Sequence, residues 1–292
     1  MALAIIVHGG AGAWHKTGLR EQARLFCLAA ANAGKAVLTE GGTALDAVEA
    51  AVIVLENCPI FDAGRGSYPN AEGDIEMDAL IMDGRSLDMG AIAAVQHVRN
   101  PISLARRVMT DCEHNFLVGA GAEAFADSIN FPRCAIGDLL VDPPQKSLSL
   151  ESSNSRPALG DTVGAVALDV NGNVAAATST GGTANKLPGR IGDSPLVGCG
   201  AYADNWIAGV SATGYGEALM RVVISKRVCD FIGNGLSAKA ACEAAIRVLE
   251  ERTGGEGGVI AVDIRGQVGY AFNTKAMPLA YAINNEPVVD LA

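Results

Sequence analysis

Two short runs of small and apolar residues flank an Asn-Gly dipeptide in the middle of the chain, and this arrangement constrains the fold. The runs are 163–169 and 173–179, and the dipeptide is Asn171-Gly172. Asn-Gly supplies the positive φ angles of a two-residue turn, so the spacing predicts an antiparallel hairpin. Other strands are predicted, several of them also in hairpins, at 3–8, 75–82, 87–98, 206–212, 259–263 and 267–272.

Other segments have the periodicity of helices. Leu19, Ala23, Phe26 and Ala30 lie on one face of a predicted helix. Helices are predicted at 19–39, 43–57 with Thr43 as N-cap, 101–109, 120–126, 216–231 and 237–252 with Ser237 as N-cap. Because the strands fall in hairpins and the helices are grouped separately, the chain is predicted to be an α+β protein, with antiparallel sheets covered by helices.

Composition excludes several classes of protein. Apolar residues make up 49% and charged residues 18% of the 292, which is typical of a globular chain. The net charge of −10, without a basic run, argues against nucleic-acid binding. No apolar stretch approaches the roughly 20 residues that span a membrane. The seven cysteines lack C-x-x-C spacing, which indicates neither a disulfide framework nor a zinc site, and a cytoplasmic location is expected.

A threonine follows the best candidate for a linker. Residues 131–161 are rich in proline and serine and lack periodicity, and Thr162 comes directly after them. A threonine hydroxyl needs a base, and no histidine follows residue 114. Chain cleavage before Thr162 would free its α-amino group, with an unperturbed pKa near 8, to act as that base. The alternative is a threonine that simply favours a strand edge.

Two further places carry groups that suit a small polar ligand. Arg190 and Asp193 lie in the glycine-rich stretch 186–195; such a pair can hold the carboxylate and the ammonium of an α-amino acid, although a surface ion pair is the alternative. Thr213 stands where a strand passes into a helix, which suits either an oxyanion site or an ordinary helix start. The HGGAG stretch at 8–12 matches a dinucleotide-binding turn only weakly, because its spacing is not G-x-G-x-x-G.

Nine motifs in chain order carry a resemblance to a known family. They are HGGAG at 8–12, GGTALDAVEAAV at 41–52, CPIFDAGRGS at 58–67, MDALIMDG at 77–84, RNP at 99–101, DTVGAVALD at 161–169, ATSTGG at 177–182, KLPGRIGDSPLVGCGAYAD at 186–204 and TGYGE at 213–217. Together they resemble the plant-type asparaginase and isoaspartyl aminopeptidase family of N-terminal-nucleophile hydrolases, over nearly the whole chain.

The resemblance implies a four-layer αββα sandwich that is made as an inactive precursor. It implies self-cleavage between Asp161 and Thr162, which gives an α-subunit of residues 1–161 and a β-subunit of residues 162–292 within one folded unit. Two such pairs are expected to associate as a dimer of heterodimers. The expected reaction is hydrolysis of the side-chain amide of L-asparagine and of β-aspartyl dipeptides, through a β-aspartyl ester on Thr162 that water converts to L-aspartate.

The family pattern also assigns roles to residues. They are Thr162 as nucleophile and base, Thr180 as its support, Arg190 and Asp193 as ligands of the substrate α-carboxylate and α-amino group, Thr213 and Gly214 as oxyanion hole, and Gly216 as a wall of the pocket. No catalytic cofactor is implied. A structural sodium ion is expected, held by the backbone carbonyls of Leu55, Glu56, Cys58, Phe61, Ala63 and Arg65.

The chain departs from the family pattern at two positions near the expected site. Asp62, grouped with the substrate-binding residues, stands where the family usually has asparagine; repulsion of an aspartyl substrate and tuning of the Thr162 amine both remain open. Asp161 stands where many asparaginases have glycine, yet Asp-Thr occurs in the relatives glycosylasparaginase and taspase, so self-cleavage is expected. A glycosylasparaginase-type hydrolase and a non-enzymatic protein that binds through its glycine loops are the alternative functions.

Overall fold

The computed structural model describes residues 2–12, 14, 17–141, 162–284 and 286–291. These residues form strands β1 Ala4–His8, β2 Met77–Asp83, β3 Met89–Val95, β4 Phe116–Val118, β5 Val163–Leu168, β6 Val174–Thr180, β7 Ala201–Asp204, β8 Ala208–Gly214, β9 Gly257–Asp263, β10 Val268–Phe272, β11 Leu279–Ile283 and β12 Val289–Leu291. The helices are α1 Thr17–Thr39, α2 Ala44–Glu56, α3 Pro101–Asp111, α4 Gly119–Ser128, α5 Ile136–Leu139, α6 Gly216–Val222, α7 Ile224–Gly233 and α8 Ala238–Thr253.

Eight of the strands form one large sheet in the order β12-β11-β1-β5-β6-β2-β3-β4. Its paired strands run antiparallel except β3 and β4, which are parallel. The predicted hairpin around Asn171-Gly172 is present as β5 and β6, with Val163 opposite Ser179. This pairing sets the first residue of β5 beside the last residues of β6, at the end of the hairpin that lies away from the turn.

Side chains alternate across the large sheet and so divide between two cores. In β1, Ile5 and Val7 belong to the core that the sheet shares with helices α1 to α5, whereas Ala4 and Ile6 belong to the core between the sheets. A second sheet in the order β10-β9-β8-β7 closes that inner core from the other side, and α6 to α8 cover its outer face. The molecule is therefore built as four layers, helices on sheet on sheet on helices, and the predicted αββα sandwich is confirmed.

Two predicted helix starts are confirmed by their hydrogen bonds. The Thr43 hydroxyl oxygen accepts the N–H of Asp46 at 3.1 Å, and that of Ser237 accepts the N–H of Ala240 at 3.3 Å. Each bond satisfies one of the backbone donors that the first helical turn leaves unpaired. Among the described helices, none combines the length and the apolar character needed to cross a membrane.

The predicted helix over 216–231 is wrong in its continuity. The chain forms α6 and α7, which are separated by Val223 in a left-handed conformation with φ of 50°. A β-branched residue rarely adopts that conformation, and neither glycine nor proline marks the break, so helical periodicity alone could not reveal it. The strand predicted at 206–212 begins later, at Ala208, and β4, β7, β11 and β12 were not predicted.

The first part of the linker predicted at 131–161 is folded. Residues 136–139 form α5, Leu139 is fully buried, and its carbonyl accepts the N–H of Gly66 at 2.8 Å. The Cys134 N–H is donated to the carbonyl of His97 at 2.9 Å. These contacts tie 131–141 to the folded unit, whereas residues 142–161 lie outside the described residues.

Candidate active site

Thr162 lies directly before β5, and its side chain is buried among other hydroxyl groups. The Oγ1 atom of Thr162 donates to Oγ1 of Thr180, at the end of β6, over 3.0 Å, and Oγ of Ser194 lies 3.5 Å from it. Thr162 is only 5% exposed. The Thr180 oxygen also accepts the N–H of Gly182 at 3.0 Å, which fixes its position. A hydroxyl with fixed partners in a buried site has a defined direction of attack.

Thr213 reaches the same region from the small sheet. Strands β5 and β8 face each other closely, because a Cβ atom added to Gly164 would lie 2.1 Å from Oγ of Ser211. Each of these residues is two positions from a candidate threonine, Thr162 on one chain segment and Thr213 on the other, and alternate strand residues share a face. The Thr213 hydroxyl oxygen accepts the N–H of Ala11 at 3.3 Å, which brings the HGGAG loop to the site.

His8 connects the two sheets beside this cluster. Its Nε2 atom lies 3.0 Å from Oγ of Ser211, and that hydroxyl in turn donates to the carbonyl of Ala177 at 3.2 Å. Burial lowers the pKa of His8 to about 3, so the ring is neutral at pH 7. His8 therefore joins β1 to β8 as a neutral hydrogen-bonding group.

Arg190 is held by a carboxylate that the sequence analysis did not select. Its Nε and Nη2 atoms donate to the two carboxylate oxygens of Glu217 at 2.9 and 2.8 Å. This paired geometry fixes the plane of the guanidinium. Glu217 lies in the first turn of α6, directly after Gly216, and its place in the TGYGE motif was the available signal. The Nη1 atom of Arg190 does not take part in this pair.

Asp193 and Arg190 come together at Gly216. A Cβ atom added to Gly216 would lie 3.0 Å from both Nη2 of Arg190 and Oδ1 of Asp193, so only glycine leaves these groups clear. Asp193 is 3% exposed, and its Oδ2 atom has no hydrogen-bond partner among the described residues. Burial raises the pKa of Asp193 to about 7, against the opposing effect of Arg190. A buried acceptor of this kind suits an incoming ammonium group.

Gly214 ends β8 with a backbone conformation that favours glycine. Its φ is 143°, and an added Cβ would lie 2.4 Å from Cα of Gly257 and 2.5 Å from the carbonyl oxygen of Glu256. The chain then enters α6, and the N–H of Tyr215 is donated to the Glu256 carbonyl at 2.9 Å. Because Gly214 has no side chain, the backbone of Glu256 and Gly257 can lie close to it.

Asp62 lies next to the strand end that carries Thr180. Its Oδ1 atom accepts the N–H of Tyr68 at 2.9 Å, and its carbonyl accepts the N–H of Gly181 at 2.8 Å. A Cβ atom added to Gly181 would lie 2.3 Å from the same Oδ1. Asp62 is 1% exposed, and its carboxyl group therefore lies buried beside the residue that follows Thr180. Of the predicted site residues, only Asp161 lies outside the described part of the chain.

The loop predicted to hold sodium is a series of turns in which carbonyl groups crowd around two glycines. An added Cβ on Gly64 would meet the carbonyl oxygens of Glu56 and Arg99 at 2.7 and 2.9 Å, and one on Gly66 would meet those of Pro59 and Phe61 at 2.6 and 2.7 Å. Of the six carbonyl groups predicted to bind sodium, these contacts include those of Glu56 and Phe61, and the Glu56 carbonyl also accepts the N–H of Arg65 at 2.8 Å. Within the described residues, no cluster of three or more His, Cys, Asp or Glu side chains is arranged to hold a metal.

Comparison with known proteins shows the family to which the chain belongs. The chain matches the family described as asparaginase over residues 1–289. Among similar curated proteins is the isoaspartyl peptidase/L-asparaginase of Danio rerio, which is 44% identical over 288 residues, covering 97% of this chain and 93% of that protein.

Two further relatives come from other organisms. The isoaspartyl peptidase/L-asparaginase of Homo sapiens is 42% identical over 284 residues, covering 95% of this chain and 92% of the relative. The isoaspartyl peptidase of Escherichia coli (strain K12) is 41% identical over 295 residues, with 95% and 92% covered. A match of this length and identity shows common descent, and the chain therefore belongs to the asparaginase family of N-terminal-nucleophile hydrolases.

Proposed function

We propose that the protein is an amidohydrolase that cleaves its own chain before Thr162 and then hydrolyses L-asparagine and β-aspartyl dipeptides to L-aspartate. The observation that carries this proposal is the buried hydroxyl of Thr162, which directly precedes β5 and lies 3.0 Å from the hydroxyl of Thr180 at the end of β6. The relatives described above are named isoaspartyl peptidase or isoaspartyl peptidase/L-asparaginase, which supports both substrates.

The chemistry is two acyl transfers by one hydroxyl group. In maturation, Oγ1 of Thr162 attacks the carbonyl carbon of Asp161, and hydrolysis of the resulting ester leaves Thr162 with a free α-amino group. In turnover, that amine takes the hydroxyl proton while Oγ1 attacks the side-chain carbonyl of the substrate. The tetrahedral intermediate collapses with return of the proton to the leaving amine. Water then attacks the β-aspartyl ester and releases L-aspartate.

The remaining residues bind the substrate and its developing charge. Nη1 of Arg190 is free of the Glu217 pair and can receive the α-carboxylate, while Oδ2 of Asp193 accepts from the α-ammonium group. Thr213 and the N–H of Gly214 bind the oxyanion, because hydrogen-bond donors fixed before the reaction stabilise that charge without reorganisation. Thr180 holds the nucleophile in place.

We also propose two structural features of the mature enzyme. A sodium ion binds to backbone carbonyl groups of the loop at 55–65, and it takes no part in the chemistry. Two heterodimers associate, so that the mature particle has twice the mass of the 29.9 kDa chain. Both proposals rest on the family to which the chain belongs.

Cleavage of the purified chain tests the proposed function. On a denaturing gel, wild-type protein should give two bands, the smaller beginning with Thr162, and native mass spectrometry should give the mass of two cleaved chains. Thr162→Ala should give one band and lose activity on both substrates by at least about a thousandfold, since the nucleophile is absent.

Matched variants make the outcome specific. Thr162→Ser keeps a hydroxyl and should still cleave, while Thr39→Ala removes a threonine hydroxyl from the exposed end of α1 and should behave as wild type. A cleaved and active Thr162→Ala protein would rule out this nucleophile. Turnover of glycosylated asparagine in preference to β-aspartyl dipeptides would instead favour the glycosylasparaginase-type reaction.

A further inference from the structure

Glu76 contacts the segment that carries Arg190 and Asp193. It stands directly before β2 and is 7% exposed. Both of its carboxylate oxygens accept the N–H of Gly189, at 3.0 and 3.1 Å, and its backbone carbonyl accepts from Nζ of Lys186 at 2.7 Å. One residue thus binds both ends of the turn 186–189.

The turn that Glu76 binds sets the direction of Arg190. The N–H of Arg190 is donated to the carbonyl of Leu187 at 3.0 Å, which closes an overlapping turn over 187–190. Gly189 has φ of 77°, a conformation that favours glycine and that a hydrogen bond to its N–H helps to hold. Because Gly189 directly precedes Arg190, the orientation of its peptide group decides where the arginine side chain starts.

Asp78, in the strand that follows Glu76, links Glu76 to the candidate catalytic threonines. Asp78 is two residues beyond Glu76, so the two side chains share a face, and it is opposite Thr180 in the β2–β6 ladder. Its Oδ1 accepts the N–H of Ala94 at 2.8 Å, where Ala94 has the strained φ of 51° next to an irregularity in the β2–β3 pairing. The start of β2 is therefore a fixed base for both parts of the site.

We propose that Glu76 is a positioning residue for substrate binding: its carboxylate holds the Gly189 peptide so that Arg190 meets the substrate α-carboxylate. This inference rests on the proposed function, because it assumes that Arg190 binds that carboxylate. Glu76 acts through Gly189 and touches no reacting atom. Self-cleavage uses neither Arg190 nor an external substrate, so Glu76 matters for turnover and not for maturation.

Kinetics of Glu76→Ala test the inference. We expect KM for L-asparagine and a β-aspartyl dipeptide to rise about tenfold, with kcat changed less than about threefold, because the hydrogen bond to a charged group that fixes Arg190 is lost. The preference for L-asparagine over its α-carboxamide, measured as the ratio of kcat/KM values, should fall by a similar factor. Denaturing gels should still show complete cleavage.

Conservative and control variants separate positioning from general damage. Glu76→Gln keeps an oxygen that can accept the Gly189 N–H and should restore KM and the carboxylate preference to within about threefold of wild type. Glu72→Ala removes an exposed glutamate four residues earlier and should change neither. Unchanged KM and unchanged preference in a folded, cleaved Glu76→Ala protein would overturn the inference.

A shorter side chain keeps the test decisive if Glu76→Ala does not fold. Glu76→Asp keeps the charge but withdraws the oxygens by about one bond length, so it should raise KM more than Glu76→Gln does. Glu76→Asp with wild-type KM and wild-type preference would overturn the inference. Failure of the proposed function is a separate result, since the wild-type enzyme would then turn over neither substrate.

Discussion

Asp193 is the residue whose charge state should control substrate binding near neutral pH. Burial raises its pKa to about 7, so the carboxyl group is largely neutral at pH 6 and largely ionised at pH 8. Only the ionised form attracts the substrate ammonium group strongly. We therefore predict that KM for L-asparagine falls several-fold as pH rises from 6 to 8, as measured by steady-state kinetics across that range.

Removal of the charge provides the control for this prediction. Asp193→Asn cannot ionise, so its KM should be high at every pH and should lose the dependence between pH 6 and 8. Asp74→Asn, which changes an exposed carboxylate, should keep the wild-type profile. A wild-type KM that does not change between pH 6 and 8 would contradict the prediction that ionisation of Asp193 controls binding in that range.

The residues that the sequence predicted for the site differ in a physical way from Glu76 and Glu217, which it did not predict. Thr162, Arg190 and Asp193 lie in motifs whose chemistry is local and can be read from neighbouring letters. Glu76 acts on Gly189 across 113 positions and Glu217 on Arg190 across 27, so neither contact can be read from neighbouring letters, although Glu217 itself lies in the TGYGE motif. Such contacts exist only after the sheets have brought separate segments together.

At the scale of elements, long periodic helices and tight hairpins were predictable because their signals are local. Helix α8, with Ser237 as cap, and the hairpin β5–β6 are examples. Short strands such as β7 and β12 have three or four residues, too few for an alternation pattern, and they are strands only because a neighbour pairs with them. Strand β11 likewise pairs with β1, more than 270 residues away.

Binding of a cation to the loop at 55–65 should be measurable as an increase in the melting temperature. A sodium ion that binds only the folded protein raises stability by mass action, so the melting temperature should be about 2 °C or more higher in sodium chloride than in choline chloride of equal ionic strength. Differential scanning calorimetry of the cleaved enzyme measures this difference.

Two glycines with positive φ provide a matched pair of variants. Gly64→Ala would put a methyl group 2.7 Å from the Glu56 carbonyl and should lose the sodium effect as well as some stability. Gly73→Ala also changes a glycine with positive φ, but its Cβ meets nothing within 4 Å, and it should keep the effect. Equal melting temperatures in both salts for wild type would argue against the ion.

At the scale of the whole molecule, several carboxyl groups are buried, and their burial makes the free energy of unfolding depend on pH. Burial raises the pKa of Glu56 to about 8, of Asp78 to about 6 and of Asp193 to about 7. Between the unfolded and folded pKa of each group, the folded state holds more protons than the unfolded state. The free energy of unfolding therefore decreases as pH rises through that interval.

Glu56 should cause the part of this decrease that occurs at the highest pH, because its pKa is the highest of the three. Its carboxylate accepts the N–H of Ile102 at 2.9 Å and the amide of Asn100 at 3.0 Å, so Glu56→Gln can keep the first bond, and rotation of the Asn100 amide can restore the second. Urea titrations should show wild-type stability falling from pH 5 to pH 8, by at most about 1.4 kcal/mol per pH unit for each group. Glu56→Gln should flatten the part between pH 6 and 8, and Glu72→Gln at an exposed position should leave it unchanged. His8, whose pKa is lowered, contributes in the opposite direction below about pH 6.5, but the three carboxyl groups together outweigh it. A wild-type stability that rises over the whole range would contradict the prediction, because it would show that the unfolded state binds more protons than the folded state.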